Sequence, residues 1–350
     1  MNIKKKVGGG LVLCLSLLLL LSFQTPKPDQ TNLTISRILW FYSLKKQLAL
    51  RAWPGFDGSD YNVDLAYFTS KSTFLIDPEN ALKGKNKLQK VYSTEQISIY
   101  STERLDTNQF HMSTAYESQD STLFWYQHPV MMCSDYETTH QTQQDVNDLQ
   151  TWATMVMHEY FHGFQFRHKA FIRYANDSIT VSNSRLQSYY DNYAWFKQSI
   201  EKENSLLLAC LNTSDNHQVE KLFKRFKYLR EHRRKYFSAL MKFNLGPQED
   251  FLEKMEGSSR YIEFKLYKTF SKIPRNKRLE RIDTAYKKNI YRNFNLKQKS
   301  WMYQSNSIRY FYSTGFNMIR LMDKLNISYK ENFFDDNNLT PYQILCQHLL

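Results

Sequence analysis

Apolar and polar positions follow three regimes along the 350 residues. The first is one greasy run, Leu11 to Phe23, with Lys4, Lys5 and Lys6 ahead of it and polar residues behind. Between 61 and 133 the apolar residues come in short, aromatic and β-branched bursts with partial two-residue alternation: "YNVDLAYF", "STFLID", "QISIYST", "FHMSTAYES" and "TLFWYQHPVMM". That period belongs to strands with one face buried. From about 146 the spacing lengthens to that of helices, predicted over 146–168, 183–211, 215–243, 247–272 and 300–325. A further helix is predicted over 31–50, with Thr31 or Asn32 as cap. "NLGPQED" (244–250) marks a helix start, with Pro247 in the first turn and acids behind it. "WPGFDGSD" (53–60) reads as a turn-rich break and "DYETTHQTQQD" (135–145) as a polar loop. The predicted fold class is therefore α+β: a small, mostly antiparallel N-terminal sheet packed on a larger helical part. No internal repeat or low-complexity tract interrupts it.

The order basic, greasy, polar at the N-terminus is that of a secretory signal. Its 13-residue run is short for a bilayer span of about 20, though counting from Val7 leaves an uncleaved anchor open. The expected organisation is a leader or anchor over 1–24, an α/β part over 25–145, and a helical part over 146–350. The protein is expected to be exported, with membrane contact only through that leader. After it only Cys133, Cys210 and Cys346 remain, so at most one disulfide can form and no zinc-finger spacing exists. Asn-x-Ser/Thr triplets at Asn32, Asn176, Asn212, Asn326 and Asn338 matter only in a glycosylating host.

Charge adds one question. The net charge is +13, concentrated in 221–235 (eight Lys/Arg, one acid) and 265–299 (twelve Lys/Arg against Glu280 and Asp283). A basic face can bind nucleic acid, anionic lipid or acidic glycan. In 221–235, however, Leu222, Phe226 and Leu229, with Phe237 and Leu240 beyond, fall near helical spacing, which puts the cations on a solvated face. An exported protein rarely meets its own cell's nucleic acid, so none is expected as a partner.

The chemistry is concentrated in "TMVMHEYFHGFQFRH", residues 154–168. On a helix His158 and His162 share a face one turn apart and can present two imidazole nitrogens to one ion. Glu159 points beside that face, where it reaches a water without being a ligand. Zinc hydrolysis uses this arrangement, completed by a third protein ligand. The bare pattern also arises by chance and in structural histidine pairs, so the third ligand decides. "EKMEGSSRYIEF" (253–264) supplies candidates. Glu256 is a hard oxygen donor, with Gly257 beside it permitting close approach of another backbone. Glu263 lies two turns further along the same face and can accept from the second ring nitrogen of a ligating histidine. Glu253 is the competing ligand.

"HEYFHGFQ" followed by "EGSSRYIE" resembles the gluzincins, metallopeptidases that hold zinc by two histidines and a glutamate. The second block is similar to the "NEGxAxYxE" helix of the aminopeptidase-N-like branch, where the first glutamate binds zinc. The resemblance implies Glu256 as ligand and Glu263 as its support. That branch also carries a tyrosine three residues before a glycine on a later helix, whose hydroxyl stabilises the tetrahedral intermediate. "RYFYSTGFNMIRLMDKL" (309–325) matches with Tyr312 and Gly315, Tyr310 being the fallback. It implies a zincin-like helical catalytic part, one zinc ion, and a peptide or protein substrate. In related peptidases an edge strand upstream of the metal helix pairs with substrate, a place that "LFWYQHPVMM" (123–132), with Pro129, occupies. Three departures stand. Met255 replaces the family's asparagine; 93 residues (163–255) separate His162 from Glu256, implying a helical insertion over about 170–246; and no "GxMEN" stretch is present, so aminopeptidase specificity does not carry over. The basic insertion is expected to line or overhang the cleft and to favour acidic or glycan-bearing substrates. The alternatives are an inactive peptidase-like binding module and a basic helical protein that binds anionic polymers.

Overall fold

In the computed structural model the described residues are 29–58, 61–77, 88–116, 129–287, 290–305 and 309–350. Residues 1–28, which include the expected leader, and residues 117–128, which include most of the stretch read as an edge strand, lie outside them.

Helix α1 spans Gln30–Ala52, and its cap is Asp29, whose carboxylate accepts from Thr31 N, rather than Thr31 or Asn32. Among the described residues six strands follow: β1 (Asp64–Phe68), β2 (Ser72–Ile76), β3 (Gln89–Ser93), β4 (Ser98–Glu103), β5 (Met112–Ala115) and β6 (Val130–Ser134). They form one sheet in the order β3-β4-β2-β1-β6-β5. Only β1 and β6 pair in parallel, Leu65 opposite Met131; the other pairings are antiparallel. The chain is thus α+β, with the sheet N-terminal and helices making up the rest.

This topology corrects the edge-strand assignment. β6, the end of "LFWYQHPVMM", lies between β1 and β5 and is buried throughout, with Pro129 just ahead of it. The outer strand beside the histidine helix is β5. A second correction concerns 135–145. Asp135 accepts from Thr138 N, and Tyr136–Thr142 form helix α2. The side chain that makes this stretch look like a loop is the one that starts the helix.

The helical part comprises α3 (Leu149–Phe166), α4 (Lys169–Ser178), α5 (Asn183–Asn192), α6 (Ala194–Asn212), α7 (Asn216–Met241), α8 (Gly246–Phe270), α9 (Lys277–Ile282), α10 (Ser300–Tyr303), α11 (Tyr310–Lys324) and α12 (Pro341–Leu349). The predicted span 183–211 is therefore two helices meeting at Tyr193. Helix α3 is apolar on nearly all sides because it is covered on nearly all sides. Trp53, Phe56 and Phe334 interlock with Phe161 and Phe164 behind it. In front, α8 crosses α11 at Gly257 and Gly315, where a Cβ on Gly257 would come within 2.5 Å of the Gly315 carbonyl carbon.

The basic stretch 221–235 is only partly a solvated face. Arg230 and Arg233 are buried on α7. Arg233 binds Glu203 of α6 at 2.6 Å and Glu249 of α8 at 2.7 Å. Arg230 meets Glu253, and Arg234 meets Glu249 at 2.8 Å and Asp250 at 2.7 Å. Leu240, assigned to the apolar side, is 47% exposed. These arginines fasten α7 to α6 and α8. Cys133, Cys210 and Cys346 are all free, and no helix among the described residues is long and apolar enough to cross a membrane.

Candidate metal centre

His158 and His162 project from one face of α3 toward α8. Their Nε2 atoms are 3.1 Å apart, and Glu256 Oε2 lies 3.2 Å from each. His158, Glu159 and His162 also offer donor atoms within 4.8 Å of one another. Of the two carboxylates, Glu256 is the one at contact distance from both rings, across the 93-residue gap.

What stands behind the rings fixes their tautomers. His158 Nδ1 meets Glu263 Oε1. A carboxylate only accepts, so this nitrogen carries its proton. His162 Nδ1 faces Gln165 Oε1 at 2.9 Å. Gln165 Nε2 donates to the Met255 carbonyl at 2.9 Å and to the Ser258 hydroxyl at 2.8 Å, which sets the amide's orientation. Ser259 donates to the same carbonyl at 3.1 Å and turns a lone pair to His162 Nδ1 at 3.2 Å. His162 Nδ1 is therefore protonated as well, so when the rings are neutral both Nε2 atoms point lone pairs at each other and at the Glu256 carboxylate.

Three electron-pair donors at this separation repel unless a cation stands among them. The spacing suits a small one. Donors roughly 2.0–2.2 Å from a tetrahedral ion lie roughly 3.3–3.6 Å apart, slightly wider than the triangle seen here. The residues thus fit a metal, and the same arrangement traps a proton when none is bound. Burial lowers the proton affinity of His158, but Glu263 and Glu256 outweigh it and raise its pKa to about 10. Burial pushes Glu256 up, yet His162 and His158 overcome this and hold it well below the usual carboxylate range.

Glu159 lies beside the triangle. Burial raises its pKa, opposed by the two histidines. Its carbonyl accepts from the Thr114 hydroxyl of β5, which ties the outer strand to α3. Tyr312 stacks near-parallel on His158, ring centroids 5.8 Å apart. Burial and the neighbouring Glu256 carboxylate keep its hydroxyl protonated. Arg260 lies over the Tyr312 ring at 4.6 Å and donates to Ser313 Oγ at 3.2 Å.

The competing residues are committed elsewhere. Glu253 binds Arg230 and accepts from Thr314 at 2.6 Å, and the Tyr310 hydroxyl donates to Glu249 inside the same ion cluster. A cavity of about 560 Å³ adjoins the centre and is lined by Glu256, Tyr312, Arg309 and residues of 179–187. None of the basic stretch 221–235 reaches it, so that stretch does not supply this wall. A larger cavity of about 710 Å³, between α1 and the β3–β4 hairpin, shares no residue with the centre.

Gln165 and Ser259 were not singled out from the sequence. Gln165 sits three residues after His162, so helical spacing alone places it near that ring. No protein-family profile, curated protein or solved structure matches the chain.

Proposed function

We propose that the chain is an exported, single-zinc hydrolase of gluzincin type that cleaves peptide bonds. The observation that carries this reading is the convergence of two imidazole lone pairs and one carboxylate, each imidazole locked by its own acceptor. Two histidines and a glutamate form a donor set used by catalytic zinc. Zinc held by His158, His162 and Glu256 would supply a Lewis acid that brings the acidity of water near neutral pH.

The chain's own residues would do the rest. Glu159, with its raised proton affinity, takes a proton from the attacking water as the oxygen adds to the peptide carbonyl carbon. It returns that proton to the amine as the C–N bond breaks. The protonated Tyr312 hydroxyl donates to the oxygen on which charge develops. Strand β5, the end of the described sheet that lies beside α3, offers backbone groups to an extended peptide. Export rests on the run Leu11–Phe23 behind its three lysines.

The test is metal content and turnover of the purified chain. About one zinc per chain, lost in Glu256→Ala, and peptide cleavage lost in Glu159→Gln with zinc retained would support the proposal. A protein that holds zinc yet cleaves no peptide in a broad screen would be a binding module instead. One that holds no metal would overturn the proposal.

A further inference from the structure

We propose that the basic surface between Lys268 and Trp301 docks on anionic phospholipid headgroups of the bilayer that the run Leu11–Phe23 enters, so that the protein meets its membrane twice. This goes beyond the hydrolase reading and rests instead on that run staying attached as an anchor. Lys272, Lys277, Arg278, Arg281, Arg292 and Lys297 are exposed, and none of them has an ion pair among the described residues. The neighbouring acids are engaged. Glu137 and Asp283 each hold Arg37 at 2.7 Å, and Glu280 lies 3.9 Å from Arg275. Asp145, which shares a hollow with Arg292, is the exposed exception. Ile290 and Trp301 line the same hollow and are 40% and 46% exposed. Uncompensated cations beside an exposed indole and an aliphatic side chain suit a negatively charged headgroup layer.

Position decides between this surface and the other basic stretch, 221–235. The segment is pinned to the first half of α1. Arg37 binds Asp283, and Trp40 stacks on Phe270 at 6.4 Å and meets Tyr286 edge-on at 5.4 Å. Arg37 stands eight residues after Asp29, about 12 Å of helix. Phe23 ends the apolar run six positions before Asp29, a reach of about 20 Å at full extension. An inserted run therefore holds this side of the body near the headgroups, at a high effective concentration. Helix α7 is fastened to the other end of α8, at Glu249, Asp250 and Glu253. Glu253 and Lys268 are fifteen residues apart on α8, about 22 Å of helix. The leaflet's attraction fades over roughly a Debye length, about 8–10 Å, so the stretch near the anchor is the one that gains.

The full chain, leader included, is reconstituted in vesicles of phosphatidylcholine alone or with phosphatidylglycerol at about 3:1, and lysine acylation is read by mass spectrometry. Acylation of Lys272, Lys277 and Lys297 should fall about 10-fold on the anionic vesicles. It should return at about 1 M salt, where the Debye length is about 3 Å. Exposed Lys221, Lys224 and Lys235 on α7 should not change. Combined Lys277→Glu, Arg278→Glu and Arg281→Glu should abolish the protection of Lys272 and Lys297.

Equal acylation on both vesicles, or equal protection of the α7 lysines, overturns the proposal. An RNA oligomer that protects the same lysines as strongly at physiological salt assigns the surface to polyanions and overturns the lipid assignment. A chain recovered from membranes without residues 1–24 overturns it as well. None of these readouts uses zinc or turnover, so their failure leaves the hydrolase reading standing, and failure of that reading leaves this one.

Discussion

Gly257 and Gly315 meet backbone to backbone where α8 crosses α11, and neither tolerates a Cβ there: one on Gly315 would overlap the Glu253 carbonyl. The contact brings Tyr312, one turn before Gly315, beside Glu256, one residue before Gly257. Gly257→Ala or Gly315→Ala must therefore part the helices. Overpacking of this kind costs about 1–3 kcal/mol, more where backbone is struck. Urea unfolding of both variants should show such a loss, and Tyr312 should be displaced from His158.

Gln165 holds His162 by its Nδ1 proton and is itself held by Met255 and Ser258. Gln165→Leu keeps approximate volume but removes the acceptor. Zinc affinity should fall about 10–100-fold, as for other residues that orient metal-binding histidines. Glu263→Ala should act similarly through His158. Competition against a chelating dye would measure both.

Tyr312→Phe removes a hydroxyl while leaving the ring on His158 and beneath Arg260. Turnover should fall about 100–1,000-fold if that hydroxyl meets the developing oxyanion. Zinc content should not change. Unchanged kcat would assign Tyr312 to packing.

Metal-free and zinc-loaded protein should respond to pH in opposite directions. In the metal-free chain His158 is raised to about 10, above an unfolded value near 6.5. Its contribution to stability is full below about 6.5 and is lost as pH rises through about 10. Zinc must displace that proton, so its affinity should climb across the same window. Melting temperatures between pH 6 and 9, with chelator and with zinc, test the sign of each trend.

Arg233 lies at the centre of the buried ion cluster, between Glu203 and Glu249. Arg233→Met leaves Glu203 with only Arg230 at 3.9 Å, while Glu249 keeps Arg234 and Tyr310, and should cost about 3–5 kcal/mol. Restoring charge balance with Glu203→Gln in the same chain should recover part of this. A loss below 1 kcal/mol in denaturant titration would mean that the cluster does not hold the insertion.

The α+β class, most helices and the residues of the centre were legible because each rests on a local pattern. His158, Glu159 and His162 share one turn, and Glu256 and Glu263 lie two turns apart on one helix; Tyr312 was picked out only by the resemblance, three residues before its glycine. The errors come from partners distant in sequence. Arg230 and Arg233 look like solvent-facing cations until Glu203, Glu249 and Glu253 stand opposite them. β6 looks like an edge because nothing local shows β5 pairing outside it, with Met131 opposite Thr114. Short helices such as Lys169–Ser178 and Lys277–Ile282 were missed for lack of enough turns to establish a period.

Gln248 of α8 accepts from Thr180 N and Val181 N and donates to Val181 O, so it joins two separate stretches of the chain. The groups that would perform bond cleavage come from 158–162, 256–263 and 312, whereas 179–187 contributes only surface to the neighbouring hollow. Residues 179–187 can therefore change the lining of the hollow without touching the side chains that converge on His158 and His162, much as a tool accepts a new jaw on an old handle.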